Sequence, residues 1–327
     1  MERATRVAED VLLPAAAAVD ASGAIPASHF DALADGGFYG LFAPPELGGL
    51  GADFTTMCAV VETLAGGCLA TTFVWVQHFG LLRNLLTPWG GDRRDWVAAA
   101  CRGERRGGIA FGGLLPGAPL LRAQAAGPSW VLDGTAPWVS GWGVIDTLLV
   151  AARGPGGTVV HVALDAVEGG GLTVERQPLF ALDATATVRA DFARVVVPAD
   201  RIVRIEPYDP TASSGTTLRL NGSLALGLVR RCCALLGPGP LDAELGGARA
   251  ALDGADAAAM AGARARASEL ALRAAATLMV EQGSRSVSAG EHAPRLAREA
   301  LFLLVFGSRP EIKRALLDRL RPGGGQP

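Results

Sequence analysis

Lysine is all but missing from this chain. Lys313 is the only one in 327 residues, which removes almost every candidate for Schiff-base chemistry. An excess of either charge is missing too: 30 basic residues stand against 32 acidic ones, spread along the chain, for a formal net charge of −2. No basic stripe marks a nucleic-acid surface and no polybasic cluster marks a membrane. The five cysteines (Cys58, Cys68, Cys101, Cys232, Cys233) form no Cys-x-x-Cys pair, and with four histidines they suggest no metal site. Buried, reduced thiols in a cytoplasmic protein are the reading that fits. Neither G-x-G-x-x-G nor G-x-x-x-x-G-K-[ST] occurs, so those two nucleotide motifs are excluded.

Glu2, Arg3, Arg6, Glu9 and Asp10 interrupt any signal-peptide core at the start of the chain. One long uncharged run exists, the 20 residues 63–82 between Glu62 and Arg83, long enough to compare with a membrane span. Gly66, Gly67, Gln77, His78 and Gly80 interrupt it, and a helix apolar on all sides is predicted to be a buried core helix.

What is present reads as α+β. Residues 1–22 have helical spacing, and a second helix is expected to start near Ser28, capped by its hydroxyl, and to stop at Gly36-Gly37. Residues 40–53, with Pro44, Pro45 and several glycines, form an irregular loop before helix resumes at Phe54. From Gly107 the character changes to short β-rich runs at 109–113, 129–134, 146–153 and 158–165. In residues 180–203, Thr185, Thr187, Arg189 and Asp191 alternate with Ala184, Ala186, Val188, Ala190 and Phe192, then Val195, Val196, Val197 and Pro198 follow. This period of two predicts a strand that leaves the sheet at Pro198, with helix from about Thr216. Further helices are expected over 241–252, 256–282, 294–306 and 310–321. The expected organisation is an N-terminal helical domain (1–106), a middle β-domain (107–205), a C-terminal helical bundle (206–321) and a disordered tail (322–327).

Four stretches carry a resemblance. Residues 40–53 are similar to a "G-x-x-x-P-x-x-x-G-G-x-G" loop, and WVLDGTAPWVSGWGVIDTLLVAAR to a "G-x-K-x-W-(I/V)-(T/S)-x-(G/A)" strand and its successor. V-V-V-P-A-D resembles the exit of a middle domain, and REALFLLVFGSRPEIKRALLDRL a terminal "R-D-A-x-x-x-x-I-Y-E-G-T" helix pair. On these residues the chain, from about 28 to 321, resembles the acyl-CoA dehydrogenases. The resemblance implies N-terminal helices, a middle β-barrel and a C-terminal bundle that assembles into oligomers, with FAD as cofactor and an acyl-CoA or related acyl thioester as substrate. It sets Trp138, Val139 and Ser140 against the isoalloxazine ring, with the serine hydroxyl donating to the ring's polar edge. Phe111 and Gly113 open residues 111–123, which stand where the family has its ring-binding "T-E-P-x-A-G-S-D" strand. Arg285 lies in residues 281–290, which match a glycine-rich stretch on the adenine side. The alternative for Trp138 and Trp142 is that they are core aromatics of a small barrel.

In the family's reaction a glutamate removes the substrate's α-proton while the β-hydrogen leaves as hydride to the flavin. The resemblance puts Gly307 at the commoner position of that glutamate, and Thr217 and Leu218 at the other. Glu311, one turn beyond Gly307, is a substitute in principle, and Glu299 lies two turns before it. Both have structural readings, Glu311 at the positive end of a helix dipole and Glu299 paired with Arg295 or Arg298. The family's "R-x-x-F-G" falls at residues 236–240, where no arginine stands. His78 and His161 read as core or surface histidines. Three functions follow: a flavin-dependent, acyl-CoA dehydrogenase-like oxidoreductase acting on the CH–CH group of an acyl thioester; a catalytically silent homologue acting as a subunit or scaffold, pairing with a paralogue; or a flavin enzyme of another class, monooxygenase-like. No nucleic-acid partner and no membrane span are expected.

Overall fold

Apolar residues at helical spacing build the first part of the chain, α1 (Glu2–Arg6) passing through a π-helical stretch (Val7–Leu12) into α2 (Leu13–Ser22). The computed structural model describes residues 1–87, 94–114, 117–209, 215–288, 290–307 and 309–321. The tail expected at 322–327 lies outside them. α3 (Ala27–Asp35) starts one residue before Ser28, with Pro26 at the cap position and no side chain capping it, so Ser28 is not the cap. α4 (Phe54–Gly67) does start on a side-chain cap: the Asp53 carboxylate accepts the Thr56 N–H at 2.7 Å.

The uncharged run 63–82 is buried as expected but is not one helix. The backbone turns extended at Cys68 (φ −146°, ψ 111°), and α5 (Leu69–Leu85) begins beyond it. No helix among the described residues is long and apolar enough to cross a membrane. α6 (Arg94–Cys101) completes the N-terminal helices.

Eight strands follow: β1 (Gly107–Ala110), β2 (Leu121–Ala126), β3 (Ser129–Val139), β4 (Thr147–Arg153), β5 (Thr158–Asp165), β6 (Leu172–Arg176), β7 (Val188–Val197) and β8 (Ile202–Pro207). They form one sheet in the order β6-β7-β3-β2-β4-β5-β8, with β1 parallel to β4. Among the described residues this hydrogen-bonded path is open, with β6 and β8 at its ends. Inward residues such as Leu132, Val139, Leu148, Val160, Val188 and Phe192 form the sheet's own core. Its other face, through Leu149, Ala163 and Val203, packs on Leu81, Leu82 and Leu85 of α5 and on α6.

The chain between β6 and β8 departs from expectation twice. β7 starts at Val188 and not at Ala184, because Leu182 (φ 59°) and Ala186 (φ 48°) adopt left-handed conformations that wind Asp183–Thr185 into a 3-10 turn. Pro198 ends β7 but not the sheet: the turn Ala199–Arg201 returns the chain as β8 beside β5. Proline needs only a position where no ladder donor is required, and a strand end provides it.

The bundle comprises α7 (Gly215–Leu236), α8 (Pro240–Asp253), α9 (Met260–Gln282), α10 (His292–Val305) and α11 (Pro310–Leu320), each within four residues of the expected boundaries. α7 crosses α4 at glycines: a Cβ on Gly227 would lie 2.4 Å from the Glu62 carbonyl oxygen, and one on Gly66 3.1 Å from that of Gly227. In an exposed helix, glycine to alanine gains about 1 kcal/mol. Here overpacking against rigid backbone outweighs that gain. Gly227→Ala is therefore expected to destabilise the protein by about 1–3 kcal/mol, read as a lower urea midpoint.

Candidate functional site

The end of β3 carries the first part of the site. Strand alternation turns Val139 into the sheet core and leaves the Trp138 indole 63% exposed. Trp138 is thus not a core aromatic, whereas Trp142 packs against the sheet core. Phe180, 71% exposed, lies in the loop between β6 and β7. Ser140, just past β3, is buried and hydrogen-bonded to Thr187 at 2.7 Å. Thr187 meets Thr185 at 2.8 Å, and Thr185 donates to the Leu182 carbonyl at 2.8 Å. A carbonyl cannot donate, so the direction of this chain is determined: Ser140 to Thr187, Thr187 to Thr185, Thr185 to Leu182. The Ser140 proton is therefore committed inward, and the hydroxyl's free lone pairs make it an acceptor toward the outside.

That chain rests on the strained turn at Leu182 and Ala186. Left-handed conformation costs a side-chain-bearing residue on the order of 1 kcal/mol. The turn is held because Gly141 donates to the Thr185 carbonyl at 2.7 Å and Trp142 to that of Ala186 at 3.3 Å.

The second part of the site comes from the bundle by way of α5. A Cβ on Gly141 would lie 2.9 Å from Val74 of α5. The neighbouring Phe73 meets the rings of Phe302 and Phe306 edge-on at 5.2 and 4.8 Å. Gly307 follows in left-handed conformation (φ +60°), and a Cβ there would sit 3.4 Å from Asn221 Nδ2 on α7. Thr217 lies one turn before Asn221 on the same helix. One region thus gathers Ser140, Phe306, Gly307 and the 217–221 turn of α7 around residues 73–74 of α5.

Other residues singled out in the sequence lie elsewhere. Gly113 is packed on β4, where a Cβ would be 2.6 Å from the Ala151 carbonyl oxygen, and its own carbonyl accepts two bonds from Arg153 at 3.0 and 3.2 Å. Phe111 is half-buried with its ring edge toward His161. Arg285 pairs with Glu291 at 3.2 Å, at the opposite end of α10 from Phe306, a helix length of about 20 Å away. Glu311 is exposed in the first turn of α11. Glu299 is buried and held by Arg295 at 2.7 Å, its carboxyl pushed up chiefly by burial.

With this geometry in view, residues 1–104 match the family model described as acyl-CoA dehydrogenase, N-terminal domain. Human mitochondrial short-chain specific acyl-CoA dehydrogenase is 30% identical over 139 residues, 41% of this chain and 34% of that protein. Residues 1–104 are an acyl-CoA dehydrogenase N-terminal domain. The matched region spans about a third of that relative's length. The 3-sulfinopropanoyl-CoA desulfinase of Paraburkholderia xenovorans is 27% identical over 205 residues, 58% of this chain and 52% of the relative. The fold superposes on butyryl-CoA dehydrogenase from Megasphaera elsdenii with a TM-score of 0.81 at 17% identity, covering 97% of this chain and 94% of the other. It also superposes on a dibenzothiophene monooxygenase from Paenibacillus with a TM-score of 0.79 at 19% identity, covering 97% and 95%.

Sequence reasoning within the acyl-CoA dehydrogenase family did not single out Asn221, Phe73 or the Thr185–Thr187 relay. Asn221 was within reach, since the i, i+4 spacing from Thr217 puts both on one helix face. The relay was not, because it depends on where the strained turn folds back.

His78 and His161 are structural. His78 Nδ1 accepts the Gly107 N–H at 3.0 Å, tying α5 to β1, and burial pushes its pKa down to about 3. His161 is buried beside Glu206 at 2.9 Å and pushed down to about 4, again mainly by burial. Unfolded histidine titrates near 6.5, so below that pH the unfolded chain binds more protons than the folded one. Stability is therefore complete above about pH 6.5 and falls as pH falls toward 4, by about 1.4 kcal/mol per pH unit for each such histidine. Urea midpoints at pH 7 and pH 5 measure this slope, and His78→Gln is expected to make it shallower.

Proposed function

We propose that this chain is a flavin-binding enzyme of the acyl-CoA dehydrogenase type acting on an acyl thioester. The observation that carries the proposal is that exposed Trp138 and acceptor Ser140 stand at the end of β3, where Gly141 meets Val74 of α5, next to the Phe73 that packs on the end of α10. When bound, flavin supplies hydride-accepting chemistry at the β-carbon of an acyl group. The chain's own part is to offer Trp138 and Phe180 as apolar surface for a planar ring, and Ser140 as an acceptor for an N–H at that ring's polar edge. Phe73, Phe302 and Phe306 wall the apolar side of the region and exclude water from it. A role for Arg285 toward the same flavin requires a second copy of the chain, because α10 separates it from Phe306. Exposed Val280, Val287 and Val305 on the bundle support such a homo-oligomer. The resemblance to the acyl-CoA dehydrogenases supports FAD rather than a smaller flavin, and five free, buried thiols support a cytoplasmic setting.

A second reading has its own support. Gly307, Thr217 and Leu218 provide no carboxylate, and the side chain nearest Gly307 is the neutral amide of Asn221. An amide cannot take an α-proton, so a flavin reaction of another class, or a silent subunit working beside an active paralogue, fits this part of the site. The similarity to a desulfinase and the shared fold with a monooxygenase support the former.

Reconstitution and two substitutions separate these readings. The purified protein is expected to take up FAD, with a visible flavin spectrum, and Ser140→Ala to weaken that uptake about fivefold or more by removing one hydrogen bond. A protein that stays colourless with added FAD would sink the flavin reading. In Gly307→Glu the left-handed backbone costs about 1 kcal/mol, while the new Cβ meets Asn221 at ordinary contact distance. This variant is expected to bleach its flavin with butyryl-CoA at least a hundredfold faster than the parent. Equal, negligible bleaching by both flavin-loaded proteins would exclude dehydrogenation and leave the other flavin chemistries.

A further inference from the structure

Two residues along a helix turn the side chain through 200°, so Arg219 projects from the opposite face of α7 to Thr217 and Asn221. On that far face α7, α4 and α8 enclose a cleft of about 270 Å³ lined by Glu62, Thr63, Arg219, Arg230, Arg249 and Asp253. Four of these groups are used as struts. Arg249 grips the buried Glu62 carboxylate through both oxygens, at 3.1 and 2.5 Å, joining α8 to α4. Arg219 donates to Asp253 at 2.6 Å and to Ser223 at 2.9 Å, joining α7 to α8.

Arg230 is not a strut. Eleven residues beyond Arg219, three helical turns, it returns to the same face, where two carboxylates already answer two guanidiniums and its own charge is left over. Its Nη1 is buried with no hydrogen-bond partner. A buried N–H without an acceptor is costly, and on a permanently charged fork the missing partner is an anion. The neighbouring Arg231 has what Arg230 lacks, donating to Glu9 at 2.6 Å and to the Gly66 carbonyl at 2.7 Å.

We propose that this cleft binds a small molecule through one oxyanionic group, a phosphate or a carboxylate, held by the Arg230 guanidinium. Volume limits the class: the space is below that of a drug-sized pocket and far below what coenzyme A or a flavin fills. Thr63, on the opposite wall, adds a hydroxyl for the same group. The cleft shares α7 with the region of Gly307 and Asn221 but opens on its other side, so its ligand is separate from the acyl thioester, and the proposal stands whether or not the chain binds flavin.

The test uses the full chain and two probes, inorganic phosphate and acetate, each titrated against chloride at matched ionic strength and followed by thermal unfolding and calorimetry. At least one oxyanion is expected to bind saturably, with a dissociation constant on the order of millimolar, and saturation by one alone identifies the head group. Arg230→Gln, which breaks no ion pair, is expected to melt within a few degrees of the parent and to bind about tenfold more weakly. Arg314→Gln, at an exposed position on α11, is expected to bind as the parent does. Responses no larger than chloride's, or undiminished binding by Arg230→Gln, would overturn the proposal.

Discussion

Helix α5 is buried along almost its whole length, with Gly80 half-buried and Arg83 exposed on one face, and the fold is arranged around it. A helix without a polar face has to be enclosed by neighbours, and here they come from each part of the chain. Leu81 and Leu82 lie under the sheet, Phe73 under α10, Val74 against the loop after β3, and Trp75 against Phe38. His78 adds the directional contact: its unprotonated Nδ1 receives the first N–H of β1, so the strand's start is registered on the helix. Burial keeps that imidazole neutral, which is the state in which it can accept.

Enclosing α5 is also what brings the candidate site together. Residues 73–74 touch the loop after β3 on one side and the aromatic end of α10 on the other, so two parts of the chain distant in sequence meet across one helical turn. The Ser140–Thr187–Thr185 relay then sets the polarity of the sheet side. Because Thr185 has to donate to a carbonyl, every proton in the relay points inward and Ser140 presents lone pairs. The strained turn at Leu182 and Ala186 persists because the backbone N–H groups of Gly141 and Trp142 hold it from outside.

Buried charge in the bundle follows the same logic of enforced partners. Arg295 and Glu299 pair one turn apart on α10, at 2.7 Å. Arg264, fully buried on α9, has no acid partner among the described residues and bonds Ser268, whose hydroxyl reaches the Leu303 carbonyl at 2.8 Å. It lies near the negative end of the α10 dipole, and that field offsets part of its charge. Burial depresses its pKa to about 10, which leaves the guanidinium charged at neutral pH. Arg230 is different in that nothing within the described residues answers it.

By itself the sequence determined the order of helices, strands and helices, the burial of residues 63–82, the family of its N-terminal domain, and the absence of a carboxylate at Gly307, Thr217 and Leu218. Periodicity and residue identity are local properties, and these conclusions need nothing more. Only the tertiary structure decided that Pro198 ends a strand without ending the sheet, that Asn221 faces Gly307, that the Ser140 proton is spent on Thr187, and that Gly113 is sealed against β4. Each of those depends on which distant backbone comes within a few ångströms, and a one-dimensional pattern of apolar and polar residues is the same whichever partner arrives.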